Sequence, residues 1–296
     1  MYVLEEKKQL HILKMLVEGT SVSSTSRLTG VHRDTCTRLL LRFADACQEF
    51  LDTEMRDLQL GHLQIDELWT YCGKKARQVT GDEPNFDEIG EFYMFVALDE
   101  ETRLIPVFRV DRRDEAATLR FMNQVAGCLK WPKPHESDSH AFKEGTFKPF
   151  IRISTDAFPA YRGVIRSVFG PYAEYGQIVK TPVGKTVSVT KRVLAYDVDP
   201  KDITTSLVER SNLTSRTFMR RLARRTLGFS KKLANLRAAT TVHFTHYNYC
   251  WVLRTLKTTP AVAAGIAKER WKIADLYMHL RERYPHHFLG YEKDAA

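Results

Sequence analysis

Three carboxylates and a run of cations are the residues best placed to do chemistry. Asp66 lies in the alternating stretch LQIDELWTYCG, and Asp156 closes the similar stretch FIRISTDA. Glu209 opens VERSNLTSRTFMRRLARRTLGFSKK, and from Arg210 to Arg237 nine Lys or Arg residues follow without one Asp or Glu. A carboxylate beside so many cations is either an ion-pair partner on a solvated basic helix or a metal ligand at the edge of a polyanion site. At 100° per residue Glu209, Leu213, Arg216 and Arg220 share a helical face, Glu209 and Arg216 being about 20° apart. If the strands bearing Asp66 and Asp156 are neighbours, the two aspartates meet, and Glu209 on the following helix completes three anions in one cavity. Such a cluster repels itself unless cations are bound. Oxygen-only ligands select a hard ion, Mg²⁺ or Mn²⁺. Two such ions about 3.5–4 Å apart would activate a nucleophilic water or 3′-hydroxyl and stabilise the leaving oxygen of an in-line displacement.

Other acids compete for these roles. Asp197, Asp199 and Asp202 in AYDVDPKD are rivals to Glu209, in a turn-like context. Strand alternation sends the Glu67 side chain to the face opposite Asp66, which reads as structural. Asp99, before a hairpin turn, reads as solvated. Trp69 and Tyr71 are either core residues or a platform for base stacking. His243 and His246, in the helix-like HFTHYNYC, read as packed side chains and not ligands.

The elements that must position these residues follow from periodicity. LQIDELWTYCG, EFYMFVALD and RLIPVFRV read as three strands, the last two joined across Glu100–Thr102. A helix over DEAATLRFMNQVAGCLK, capped by Asp114, comes next. FIRISTDA is the fourth strand, AFPAYRGVIRSVFG a helix with Pro159 in its first turn, and QIVKTPVGKTVSVTKRV a basic fifth strand. The order βββαβαβα predicts a five-stranded mixed α/β sheet flanked by helices, the order of the ribonuclease H-like fold.

Upstream, residues 4–17 carry a helical apolar face that ends at Gly19. Ser21 can cap a short helix through Leu28, Gly30 sits at a turn, and a longer helix runs from about His32 to Phe50. Two helices around a glycine-containing turn match a helix-turn-helix, and an ordinary three-helix bundle gives the same local pattern. In the first reading His32, Arg33, Thr35, Thr37 and Arg38 would reach base edges or phosphates. The predicted organisation is a helix-turn-helix domain over 1–50, a linker over 51–62, a catalytic domain over 63–240 and a helical extension over 241–296.

Composition narrows the partners. The 296 residues are 43% hydrophobic and 27% charged, ordinary for a globular chain. The net charge of +9 equals the number of cations in 210–237, so the excess is localised, which favours nucleic acid over a membrane surface. The five cysteines form no CxxC pair, and no run approaches the roughly 20 apolar residues that span a bilayer. No GxxxxGK[ST] string indicates a nucleotide cofactor. A cytoplasmic protein is expected, nucleoid-associated if prokaryotic.

The strings IDELWTYCGKK around Asp66, STDAFPAY around Asp156 and VERSNLTSRTFMRRLARRTLGFSKK around Glu209 resemble the DDE transposases of the insertion-sequence-one type over roughly residues 60–245. That family pairs its glutamate with a basic residue seven positions on, here Arg216. Its members commonly carry an N-terminal zinc-finger segment with paired cysteines, and no such pair precedes the helices here. The resemblance implies a ribonuclease H-like core that cuts transposon ends and joins them to target DNA with two divalent metals. It implies Asp66, Asp156 and Glu209 as ligands, double-stranded DNA as partner, and a homodimer or higher multimer bridging two ends. Arg216 and Arg220 would neutralise phosphate charge near the scissile bond, and Arg221, Arg224, Arg225, Lys231 and Lys232 would hold flanking backbone. A nuclease of the same fold that never joins strands, and a non-catalytic DNA-binding regulator, are the rival readings.

Overall fold

The structure is a computed structural model and describes residues 4–132, 148–184, 186–196, 198–223 and 226–288. The chain forms two compact units that interleave along the sequence: Met1–Glu54, Leu68–Met94 and Ser211–Ala296 in one, Met55–Glu67 and Phe95–Arg210 in the other.

Among the described residues the sheet has six strands: β1 His62–Cys72, β2 Gly90–Asp99, β3 Val107–Asp111, β4 Ile151–Asp156, β5 Ala173–Val183 and β6 Thr186–Ala195. Their spatial order is β3-β2-β1-β4-β5-β6. β1 runs parallel to β4 and β4 parallel to β5, while β6 returns antiparallel to β5. The mixed sheet, flanked by helices, is consistent with a ribonuclease H-like fold. The expected count of five strands is corrected to six. The segment QIVKTPVGKTVSVTKRV is a hairpin, reversed at Gly184, whose φ of +60° favours glycine. β6 is exposed for most of its length, so no buried alternation marks it as a separate strand.

The second unit holds the helices α4, Glu115–Cys128, and α5, Pro159–Phe169. Asp114 caps α4 by accepting from Ala117 N at 2.7 Å. Gly176 in β5 lets the Ile203 side chain lie where a Cβ would sit, 2.5 Å away. Asp99 is not solvated: it is 1% exposed and accepts from Thr102 N and Oγ1 at 2.8 and 2.7 Å, closing the turn after β2. Asp202 pairs with Arg152 at 2.8 Å and Asp199 accepts from Lys201 N at 2.9 Å, so both have structural partners. Asp197 lies outside the described residues, as do 133–147 of the polar, proline-bearing segment.

In the first unit, α1 Glu6–Val17, α2 Val22–Thr29 and α3 Arg33–Glu54 precede the sheet. Ser21 Oγ accepts from Ser24 N at 3.0 Å, and Gly30 ends α2 at φ +69°. α3 continues to Glu54, past the expected end near Phe50, because Phe50 and Leu51 are buried. Its partner is the helix α7, Leu233–Tyr249, where Phe50 meets Tyr249 with ring centroids 4.8 Å apart. His243 is buried there against Ser215 Oγ at 3.1 Å, and burial holds its pKa down to about 3. Among the described residues no helix is long and apolar enough to cross a membrane.

Candidate active site

β1 and β4 are in parallel register through Gln64 and Ser154. Two residues further on, each strand presents an aspartate, Asp66 and Asp156. Continuing the register sets them opposite one another. Carboxylate oxygens of Asp66, Glu67 and Asp156 all lie within 4.8 Å of one another. Glu67 is therefore part of the cluster and does not point away from it. The carboxylates of neighbouring strand residues thus reach one point although their backbone positions alternate, within the reach that Glu67's longer side chain allows.

Glu67 is the most perturbed acid of the group. Its side chain is 1% exposed. Burial, then the charge of Asp156, push its pKa up to about 7, while Tyr161 and Arg113 act in the opposite sense. Glu67 Oε1 and the Tyr161 hydroxyl interact electrostatically, yet neither makes a hydrogen bond of ordinary geometry. The cation that balances the cluster is Arg113, just before α4. Its guanidinium lies 3.4 Å from both Glu67 Oε2 and Asp156 Oδ2 and sits 4.2 Å above the Phe158 ring. Arg113 carries no sequence signal, since Arg112-Arg113-Asp114 reads as an ordinary charged loop.

Glu209 is placed differently. It lies in the first turn of the helix α6, Ser206–Phe218, and its Oε1 accepts from Lys180 Nζ at 2.6 Å and from Thr205 Oγ1 at 2.7 Å. Burial raises its pKa, but these two bonds outweigh that and the net shift is downward. The structure brings Asp66 and Asp156 together and does not draw Glu209 into the same tight group. The helix is nonetheless fastened beside them. The buried Gln64 side chain accepts from Leu207 N at 2.9 Å and Val208 N at 3.3 Å, satisfying helix-start donors that would otherwise be orphaned. Gln64 also donates to Glu100 at 3.1 Å; Glu100 meets His62 Nδ1 at 2.5 Å, and His62 Nε2 reaches Ser154 Oγ at 2.8 Å. One polar chain thus links β4, β1, the turn after β2 and α6, two residues below the aspartates.

The basic segment does not form one long helix. α6 ends at Phe218, and Arg220–Leu222 is a 3₁₀ turn, so Arg220 leaves the stripe expected to run from Glu209. Arg216 remains on α6, half-buried. Arg220, Lys231 and Lys232 are exposed. Arg221 is engaged instead with the buried Ser230 Oγ at 2.9 Å, and burial pulls its pKa down. Arg224 and Arg225 lie outside the described residues. Tyr71 stacks toward Phe229 with centroids 4.7 Å apart, and Trp69 bonds Glu91. At the start of α3, His32, Arg33 and Arg38 are exposed and Thr35 and Thr37 half-buried. Thr37 Oγ1 donates to Arg33 O at 3.0 Å, and Arg38 reaches Thr35 Oγ1 at 3.5 Å.

No family model and no curated protein matches the chain. Among solved structures, a Mos1 transposase paired-end complex with left transposon end aligns over 59% of this chain and 60% of its own, at 10% identity and a TM-score of 0.22. A pre-cleavage Mos1 transpososome aligns over 83% and 79%, at 9% identity and a TM-score of 0.25. The first alignment spans about three fifths of that chain, and both superpositions are too distant to carry an argument about this one.

Proposed function

We propose that the chain is a DDE-type DNA transposase, similar in kind to those of the insertion-sequence-one type, built on a ribonuclease H-like core. It binds element ends as double-stranded DNA, cuts phosphodiester bonds there and joins the freed 3′ ends to target DNA, as a homodimer or higher multimer. The observation that supports this reading most is the meeting of Asp66, midway along β1, with Asp156 at the end of the adjacent parallel strand β4, with Glu67 in the same cluster.

The donor set fits Mg²⁺ or Mn²⁺. It is all oxygen, it is crowded, and it includes the buried, unbonded Glu67 Oε1. Asp66, Asp156 and Glu209 are the ligands in this reading, with Glu67 an added donor that sequence reasoning had set aside. Bound there, two such ions supply Lewis acidity toward a phosphate. The protein groups prepare the site. Arg113 balances Glu67 and Asp156 before metal enters, and Lys180 with Thr205 keeps Glu209 ionised and oriented. Arg216, Arg220, Lys231 and Lys232, together with Arg224 and Arg225, neutralise the DNA backbone. His32, Arg33, Thr35, Thr37 and Arg38 contact the element end. Arg221 serves to hold its own segment through Ser230.

The test is to incubate the protein with labelled duplexes from the flanks of its coding sequence and Mg²⁺, then resolve cleaved and strand-joined products, with Asp156→Asn as control. Joined products support the proposal. Cleavage without joining would make the protein a nuclease, and binding with neither product would make it a regulator.

A further inference from the structure

We infer that Glu49, His286 and His287 form a zinc site, built wholly from residues of the first unit. Glu49 lies on α3, and the two histidines end the 3₁₀ turn Pro285–His287. His286 Nε2 lies 3.0 Å and His287 Nε2 lies 2.8 Å from the same atom, Glu49 Oε2. The imidazole rings are 4.2 Å apart between centroids, so two consecutive side chains direct the same ring nitrogen at one point.

The spacing is close to what a tetrahedral ion requires. Zn²⁺ binds histidine nitrogen and carboxylate oxygen at about 2.0–2.1 Å, which puts neighbouring ligand atoms about 3.3–3.4 Å apart. The two nitrogen–oxygen separations need to open by only about half an ångström for an ion to replace the two hydrogen bonds. Two imidazoles and a carboxylate favour zinc over the hard ions suited to the Asp66 cluster. Asp45, one helical turn before Glu49, is within electrostatic reach of His287 but lies outside the group of three donors that come within 4.8 Å of one another, which leaves the fourth position to a water molecule. Side-chain exposures of 45%, 61% and 21% for Glu49, His286 and His287 leave the point open to solvent, so an ion can enter without unfolding. The turn is anchored by buried Tyr284 just before it. Zinc bound here fastens residues 285–287 to the helix whose other end carries Arg33 and Arg38.

The experiment uses the full chain, stripped with chelator. Zn²⁺ affinity is measured by competition with a chromophoric chelator, and Co²⁺ is added separately to read ligand geometry from its visible absorption. The expected result is one zinc per chain, a tetrahedral Co²⁺ spectrum, and a higher Tm with zinc. His286→Ala with His287→Ala should weaken zinc at least 100-fold, as should Glu49→Gln by at least 10-fold, while Asp66→Asn leaves this affinity unchanged. The metal-free Tm of each variant verifies folding, and exposed His286→Ala alone serves if the double variant is unstable. Zinc affinity unchanged in a folded histidine variant, or no zinc held by the wild type at micromolar concentration, would overturn the assignment.

Discussion

Replacing Glu67 by Gln isolates the electrostatic cost of the carboxylate cluster. The ordinary glutamate value is 4.5 and that of Glu67 in the fold is about 7. A carboxyl whose pKa rises on folding binds its proton more tightly in the native state. Its contribution to stability is therefore fully present below pH 4.5 and is lost as pH rises through 7. At pH 8 and above, ionising this side chain in the folded protein costs roughly 3 kcal/mol relative to the unfolded chain. The amide of the variant cannot titrate, so the difference between wild type and variant removes the contribution of all other groups. Urea unfolding in chelator at pH 5 and pH 8 should show the wild type losing about 2–3 kcal/mol more than Glu67→Gln over that interval. Adding Mg²⁺ at pH 8 should restore part of that loss in the wild type, because a bound cation favours the ionised form. Parallel pH dependences for the two proteins would refute the assignment of Glu67 to a buried, like-charged cluster.

The remaining predictions concern the surrounding residues. Glu209→Gln should reduce Mg²⁺-dependent cleavage at least about 10²-fold, roughly 2.7 kcal/mol, while DNA binding survives; near-normal cleavage would remove Glu209 from the ligand set. Arg113→Ala leaves two acids unbalanced, so the metal-free Tm should fall and the Tm gain on adding Mg²⁺ should exceed that of the wild type, an equal gain counting against the balancing role. Arg220→Ala with Lys231→Ala should lower the slope of log K against log salt by about one to two for every duplex tested, and an unchanged slope would make both cations solvated surface. Gly176→Ala places a Cβ 2.5 Å from the Ile203 side chain and should cost about 1–3 kcal/mol in urea, partly recovered by Ile203→Val.

The strands and helices around the site were legible because most bury one face. β1, β4, α4 and α5 sit close to where apolar periodicity puts them, and the Ser21 and Asp114 caps follow from side-chain chemistry. β6 was not legible as a strand because it packs little, though Gly184 marked the turn. Asp99 was misread because a carboxylate after an apolar run resembles a solvated turn residue; the Thr102 three positions on, which it bonds, was the available signal. Glu67 was misplaced because alternation assigns it and Asp66 to opposite faces, whereas their carboxylate oxygens lie within 4.8 Å of one another. Arg113 and the Gln64 link to α6 depend on residues 43 to 144 positions apart, which periodicity does not encode. The helical stripe through Arg220 failed because propensity and charge did not mark the end of α6 at Phe218. The two units interleave along the sequence for a related reason: α3 and α7 are joined by packing across a long sequence separation.

That pairing sets the timing of the chain's own synthesis. Phe50 leaves the ribosome about 200 residues before Tyr249, its ring partner. At about 5–20 residues per second the buried face of α3 waits roughly 10–40 s for α7. Throughout that interval Leu39, Leu40, Phe43, Phe50 and Leu51 have no finished surface to close on. An interrupted translation product would thus release an N-terminal segment that is sticky and prone to capture by chaperones or proteases, and not a small, free-standing binding module. Completion of the polypeptide through α7 becomes a condition for closing the buried face of the helix that begins at Arg33.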